Sequence, residues 1–155
     1  MSDVLTKAQR RLNMQHVKSV DTKPELMIRR TLHSKGFRYK LHTKFLPGSP
    51  DLVFPKYRVV IFVHGCFWHR HNCYKASVPS SRTDFWLNKF KENIARDQLN
   101  IQQLSNLGWR ILVIWECALK GRNKISFDLL INLMTNFIKN DVSQFFEIGG
   151  NVRAD

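Results

Sequence analysis

The sequence predicts an α/β domain on a mixed sheet, with the core order αβββαβ. Three observations carry this reading. Residues 59–63 and, apart from Arg110, residues 109–115 are short apolar runs, as strands covered on both faces by helices are. Residues 83–107 repeat apolar side chains at helical spacing between those two runs. The chain has 155 residues, which suits one hydrophobic core of the usual ~100–200 residues. Strands and helices that alternate in this way pack as a sheet with helices on its faces.

The elements follow in order. Residues 1–21 form a basic arm, with a short helix expected around 5–17 that carries Met14 among too few apolar neighbours to bury it. Thr22, Pro24 and Glu25 make a capping box that opens a helix, and Gly36 closes it. Residues 37–42 alternate apolar and basic with period two, which predicts the first strand. After the breaker at 46–50, residues 51–54 and 59–63 read as two strands joined by a four-residue hairpin connection. Residues 64–82 are dense in His, Cys and aromatics without any period and read as an irregular insert. A long helix from Thr83, with Trp86, Phe90, Ile94, Ile101 and Leu104 on one stripe, stops at Gly108. Residues 109–115 are the last core strand, with Trp109 and Trp115 in the core, and Leu130, Leu133, Met134 and Phe137 mark a last helix. The expected organisation is therefore an arm at 1–21, a single domain over 22–139 and a polar tail over 140–155.

Composition narrows the partner. There are 25 Lys and Arg against 12 Asp and Glu, a formal charge of +13, so the field of the protein attracts polyanions. Residues 1–45 hold eleven basic residues against three acids, the footprint of a nucleic-acid-binding face, although any one of them also suits a solvated helix. No apolar run reaches the ~20 residues that cross a bilayer, and the start of the chain has no signal-peptide stretch. The expected location is cytoplasmic.

Three cysteines cannot complete a disulfide framework in such a chain. Cys66 and Cys73 bracket His69 and His71, and Cys117 follows the last core strand. Three thiolates and the imidazole of His71 make a closed tetrahedral Zn²⁺ site, which would hold the insert in shape; three unrelated cysteines are the alternative. Asp51 is the sole acid between Glu25 and Asp84 and stands where a strand begins. It is either a turn cap or the carboxylate that holds Mg²⁺ against a phosphodiester. His64 and His69 sit just past the neighbouring strand end, where an imidazole could take a proton from water. Glu25 is read as the capping partner or as a second carboxylate, with capping favoured. Phe67, Trp68 and Trp86 are either wedges for a base step or a small core around the metal.

The residues Pro50-Asp51, the run 59–73 that contains His64-Gly65-Cys66-Phe67-Trp68-His69, Arg82-Thr83, Phe85-Trp86, Gly108-Trp109-Arg110 and Trp115-Glu116-Cys117 strongly resemble the bacterial very-short-patch repair endonucleases, over roughly residues 7–121. The resemblance implies a restriction-endonuclease-like fold with a zinc-stapled insert. It also implies a Mg²⁺-dependent nick in duplex DNA, 5′ to the T of a T:G mismatch left by deamination of 5-methylcytosine. On this reading Asp51 and the main-chain carbonyl of Val63 hold Mg²⁺, and His69 is the general base. His64 and Glu25 orient water or the phosphate, which moves Glu25 from cap to active site. Cys66, His71, Cys73 and Cys117 hold zinc. Phe67, Trp68 and Trp86 enter the major groove beside the mismatch, Met14 reaches the minor groove, and Lys89 and Asn93 read base edges. The resemblance also implies a bacterial, nucleoid-associated enzyme, with mismatch-repair proteins as possible partners, and a monomer is expected because a single nick needs only one active site. The chain departs from the family at Val63, where Thr is usual, and at Arg70 and Asn72, in a stretch otherwise rich in His. A restriction-type or junction-resolving endonuclease and a non-catalytic zinc DNA-binding protein are the competing readings.

Overall fold

The computed structural model describes residues 23–74 and 76–150. The arm at 1–21, Met14 and the cap Thr22 lie outside the described residues. Helix α1 spans Lys23–Ser34, with Pro24 and Glu25 in its first turn, and the chain leaves it through Gly36 at φ 95°. Strands β1 (Lys40–Leu41), β2 (Leu52–Phe54) and β3 (Val59–His64) follow. A single helical turn, α2 (Cys66–His69), the long helix α3 (Thr83–Asn106) and β4 (Arg110–Trp115) come next. The last elements are α4 (Glu116–Leu119), α5 (Phe127–Lys139) and β5 (Phe145–Ile148).

The five strands lie in chain order in one mixed sheet. β1, β2 and β3 are antiparallel neighbours, whereas β4 runs parallel to both β3 and β5. The parallel pairs need crossovers, which α3 and α5 supply. Alternation along β3 and β4 sorts the core into two layers. Val59, Ile61, Leu112 and Ile114 pack with Ile28 and Leu32 of α1 and Leu130, Met134 and Phe137 of α5. Val60, Phe62, Ile111, Val113 and Trp115 pack on the opposite face with Leu104 of α3, Cys66 and Cys117. The expected α/β mixed sheet is what forms, and none of the described helices is long and apolar enough to cross a membrane.

Three local differences from the sequence reading have physical causes. The first strand is shorter than 37–42, because Phe37 and Tyr39 turn their rings onto Phe54 and His42 adopts φ 45°, which ends extended pairing. Ile94 is 39% exposed, so the stripe on α3 buries chiefly Phe90 and Leu104. Within residues 140–155, the segment read as a polar tail, β5 extends the sheet from Ile111↔Phe145 to Ile114↔Ile148. Only Ile148 is fully buried in that strand, although Phe145, Phe146 and Ile148 are all apolar, a signal the reading of a polar tail passed over.

Residues 64–82 are irregular apart from α2, as expected. Arg70 secures them. Its guanidinium donates to the carbonyls of Phe67, Ala76 and Ser77 at 3.2, 2.8 and 3.1 Å and lies 3.9 Å from the centre of the Phe90 ring. The departure at this position is thus a structural tie between α2, the loop and α3.

Candidate active site and metal centre

The parallel register of β3 and β4 explains why distant cysteines meet. His64 pairs with Trp115, and Cys66 and Cys117 each follow two residues later. α2 then turns the chain so that His71 and Cys73 face the same point, and the donor atoms of all four residues lie within 4.8 Å of one another. His71 Nδ1 is 3.7 Å from Cys66 Sγ and 3.3 Å from Cys117 Sγ. Donors at Zn–S and Zn–N bond lengths around a tetrahedral ion stand about 3.5 Å apart, so the set fits zinc. The chemistry agrees. Burial pushes the Cys66 thiol upward, and the adjoining thiols of Cys73 and Cys117 add to that, so a cation is needed to hold thiolates together here. Burial also lowers the pKa of His71, which keeps it neutral for coordination, and its ring stacks on Trp115 at 4.4 Å.

Gly150, just past β5, completes this cage. Its N–H donates to Cys117 Sγ at 3.1 Å, and an added Cβ would stand 2.3 Å from the Cys117 carbonyl oxygen. Contacts of this kind tune a metal centre. Gly150→Ala is therefore expected to retain the fold and lose zinc to a competing chelator roughly 10–100-fold more readily. Unchanged zinc release would show that the contact is incidental.

A second site opens on the same sheet edge as a cleft of ≈ 400 Å³, lined in part by Asp51, Val63, His64, His69, Asp97 and Asn100. Gly48 forms one wall at φ 76°, where a Cβ would press on Asn100 and Phe62 at 3.0–3.1 Å. The antiparallel β2–β3 pair sets Asp51 beside the end of β3, and Asp51 Oδ2 accepts from the Val63 N–H at 2.7 Å. Burial is the largest influence on Asp51 and raises its pKa to about 6, with the Val63 hydrogen bond opposing and Glu25 reinforcing.

His69 Nδ1 lies 2.6 Å from Asp97 Oδ2 on α3. The carboxylate accepts the Nδ1 proton, which leaves Nε2 as the proton-accepting nitrogen. His64 stacks on His69 at 3.8 Å with planes 7° apart. Burial, then the neighbouring imidazole, lowers the His64 pKa to about 3, so His64 is neutral at physiological pH. On its other side Asp51 meets Glu25 and His42, which form a further group of metal-capable donors with it. The carboxylates and imidazoles present suit a divalent cation.

Asp97 and His42 escaped the sequence reading. Asp97 had a signal, since Lys89, Asn93 and Asp97 follow one another at i+4 along a polar stripe of α3. His42 had only its place in an alternating strand. Glu25 is 2% exposed and lies in the first turn of α1, near Arg29 and His42, so it faces the site as well as the helix start.

The aromatics pack on one another. Phe67 meets Trp68, Trp86 and Phe90 at centroid distances of 5.1, 5.5 and 5.2 Å. Of the two readings, a small core is what the rings form here, because α3 brings Trp86 and Phe90 to Phe67 and Trp86 to Trp68. All three candidate wedges nevertheless remain half-exposed. Lys89 is half-buried on α3, and Asn93 Nδ2 donates to the Trp68 carbonyl at 3.1 Å, which ties α2 to that helix.

Comparison with known proteins agrees with this geometry. The family described as DNA mismatch endonuclease Vsr matches residues 2–75. The chain is 44% identical over 138 residues to the DNA mismatch endonuclease Vsr of Escherichia coli (strain K12), covering 89% of this chain and 88% of that one. It is 50% identical over 119 residues to the type II nicking enzyme V.XorIIP of Xanthomonas oryzae pv. oryzae, covering 77% and 88%. It is 43% identical over 122 residues to the type II nicking enzyme V.NmeAIP of Neisseria meningitidis, covering 79% and 87%. With a four-donor cage beside a carboxylate–imidazole cleft and relatives matched across most of their length, this chain belongs to the DNA mismatch endonuclease Vsr family.

Proposed function

We propose that the chain nicks duplex DNA 5′ to the T of a T:G mismatch, in very-short-patch repair of deaminated 5-methylcytosine. The observation that carries the reading is the meeting of Asp51 with the His69–Asp97 pair across one cleft, next to the half-exposed Phe67–Trp68–Trp86 cluster. Asp51 and the main-chain carbonyl of Val63 would hold Mg²⁺. When bound, the cation would offset negative charge on the phosphate as the bond to the leaving oxygen breaks.

The side chains divide the remaining work. His69 accepts the proton of the attacking water at Nε2, while Asp97 fixes the ring and stabilises the resulting imidazolium. His64, neutral and stacked on His69, holds that ring in place and orients water or the phosphate. Glu25 acts from behind Asp51 in the same way. Zn²⁺ on Cys66, His71, Cys73 and Cys117 is structural, and it fixes α2, from which His69 projects.

Recognition is assigned to the aromatic and basic groups. Phe67, Trp68 and Trp86 would enter the major groove and unstack the step at the mismatch, at a cost of roughly a few kcal/mol that is smaller where pairing is defective. Met14 would reach the minor groove. Lys89 would meet base edges, as would the amide oxygen of Asn93, whose nitrogen already holds Trp68. The formal charge of +13 supplies most phosphate affinity.

The deciding assay compares a T:G duplex with its T:A counterpart in Mg²⁺. A nick confined to the T strand of the mispair is expected, and equal cutting of both duplexes would exclude mismatch selection. Asp97→Asn should lower kcat by about 10²–10⁴-fold with little change in KM, since it disturbs the tautomer and the charge that develops on His69. A pure KM effect would place Asp97 in binding instead.

A further inference from the structure

Helix α3 presents a stripe of polar side chains to the cleft. Asn93, Arg96, Asp97 and Asn100 recur at i, i+3, i+4 and i+7, so they share one face of the helix, and all four line the cleft with Asp51 and His69. Two of them are committed within the protein. Asp97 meets His69 Nδ1 at 2.6 Å, and the Asn93 amide nitrogen donates to the Trp68 carbonyl at 3.1 Å. Arg96 is exposed and makes no hydrogen bond or ion pair with any described residue. Among the described residues that line the cleft it is also the one Lys or Arg.

Hydrolysis of a phosphodiester creates a need for such a group. The water oxygen bonds to phosphorus as its proton passes to His69 Nε2. The bond from phosphorus to the leaving oxygen then breaks, and that oxygen keeps the electron pair and takes a proton from water. The diester starts with one negative charge, and attack by deprotonated water adds to it, so charge grows on the non-bridging and leaving oxygens. Asp51 and Asp97 share the cleft and would oppose that growth. A guanidinium favours it, because it presents donors in a planar fork that matches two phosphate oxygens and does not lose its charge.

We propose that Arg96 is a further catalytic residue, which contacts the non-bridging oxygens of the scissile phosphate and stabilises the charge that develops on them. The inference rests on the reading of the cleft as a nicking site and adds a protein cation to it. Asn93 and Asp97 hold the neighbouring elements in place, and Arg96, on the same face of α3, remains free for the substrate.

The test is single-turnover nicking of the T:G duplex in Mg²⁺ by the zinc-loaded full chain at saturating protein, with Arg96→Gln and Arg96→Lys. Because Arg96 is exposed, zinc content and melting temperature should match the wild type in both. Arg96→Gln should nick about 10²–10³-fold more slowly. Arg96→Lys should be at least about tenfold faster than Arg96→Gln, since it keeps the charge and loses only the fork. A second readout needs neither metal nor cleavage. Replacing the scissile phosphate by a neutral methylphosphonate should change the duplex affinities of the wild type and of Arg96→Gln by factors that differ roughly threefold or more, the signature of a direct contact. Equal responses to methylphosphonate would overturn the proposal. So would an Arg96→Gln rate within about threefold of the wild type, or an Arg96→Lys rate no better than that of Arg96→Gln. A wild type that leaves the T:G duplex uncut removes the nicking reading itself, whereas a wild type that nicks but shows any of these three results removes only Arg96.

Discussion

Asp51→Asn should abolish strand cleavage, by at least about 10³-fold, while duplex binding stays close to that of the wild type. The asymmetry follows from where the two free energies originate. On the proposed reading, phosphate affinity comes from many basic groups spread over the protein, but a divalent cation at the cleft would depend on this carboxylate. The acidity of Asp51 provides a second readout. Its pKa in the folded, metal-free chain is raised to about 6 by burial, above the ordinary carboxylate value. A raised folded pKa favours the native state at low pH, and that contribution disappears as pH rises through about 6. Asn carries no such charge. Metal-free Asp51→Asn should therefore melt higher than the metal-free wild type at pH 7, and the gap should close below the ordinary carboxylate range. Divalent-cation affinity of the wild type should likewise decline as pH falls below about 6, where the proton competes. Cleavage by the variant at near wild-type rates would remove Asp51 from the chemistry.

Cys117→Ser should have the broader effect. It removes one of four donors, so the preparation is expected to lose about one Zn per chain and most of the order of residues 64–82. Structural zinc contributes on the order of 10 kcal/mol to small sites of this kind, comparable to a domain's whole margin of stability, so its loss is expected to unfold the insert locally at least. His69 stands between the ligands Cys66 and His71, and Phe67 and Trp68 share the same helical turn. Cleavage and mismatch preference should consequently fall together, unlike in Asp51→Asn, where binding survives. Metal analysis, near-ultraviolet circular dichroism and binding to the T:G duplex distinguish the two variants. A Cys117→Ser protein with full zinc content and normal cleavage would show that the cage does not organise the site.

Much of this was legible in the residue order because it is local. Pro24 and Glu25 mark the start of α1, the apolar runs mark β3 and β4, and the spacing of Cys66, His71 and Cys73 marks a loop of donors that could hold a metal. Asp51 could be singled out because it is isolated among basic and apolar residues. What escaped depends on contacts made across the sheet. Asp97 matters because α3 packs over α2, and no spacing along the chain brings residue 97 to residue 69. His42 matters because its backbone turns left-handed at the end of β1, where an alternating pattern suggested further extension. β5 escaped although Phe145, Phe146 and Ile148 are apolar, because a segment of four residues is too short to show a period, and it is β4, apolar and already paired on one side, that recruits it. The aromatic cluster was only partly legible for a related reason: Phe90 lies on α3 and meets Phe67 only once that helix crosses the insert.

The contact between Gly150 and the Cys117 sulfur has a consequence for the timing of biosynthesis. Every carboxylate, imidazole and thiol of both centres leaves the ribosome well before residue 150 does. The donor groups of both centres are thus all synthesised before the backbone N–H that Cys117 Sγ accepts from, and that N–H belongs to a residue with no side chain at all.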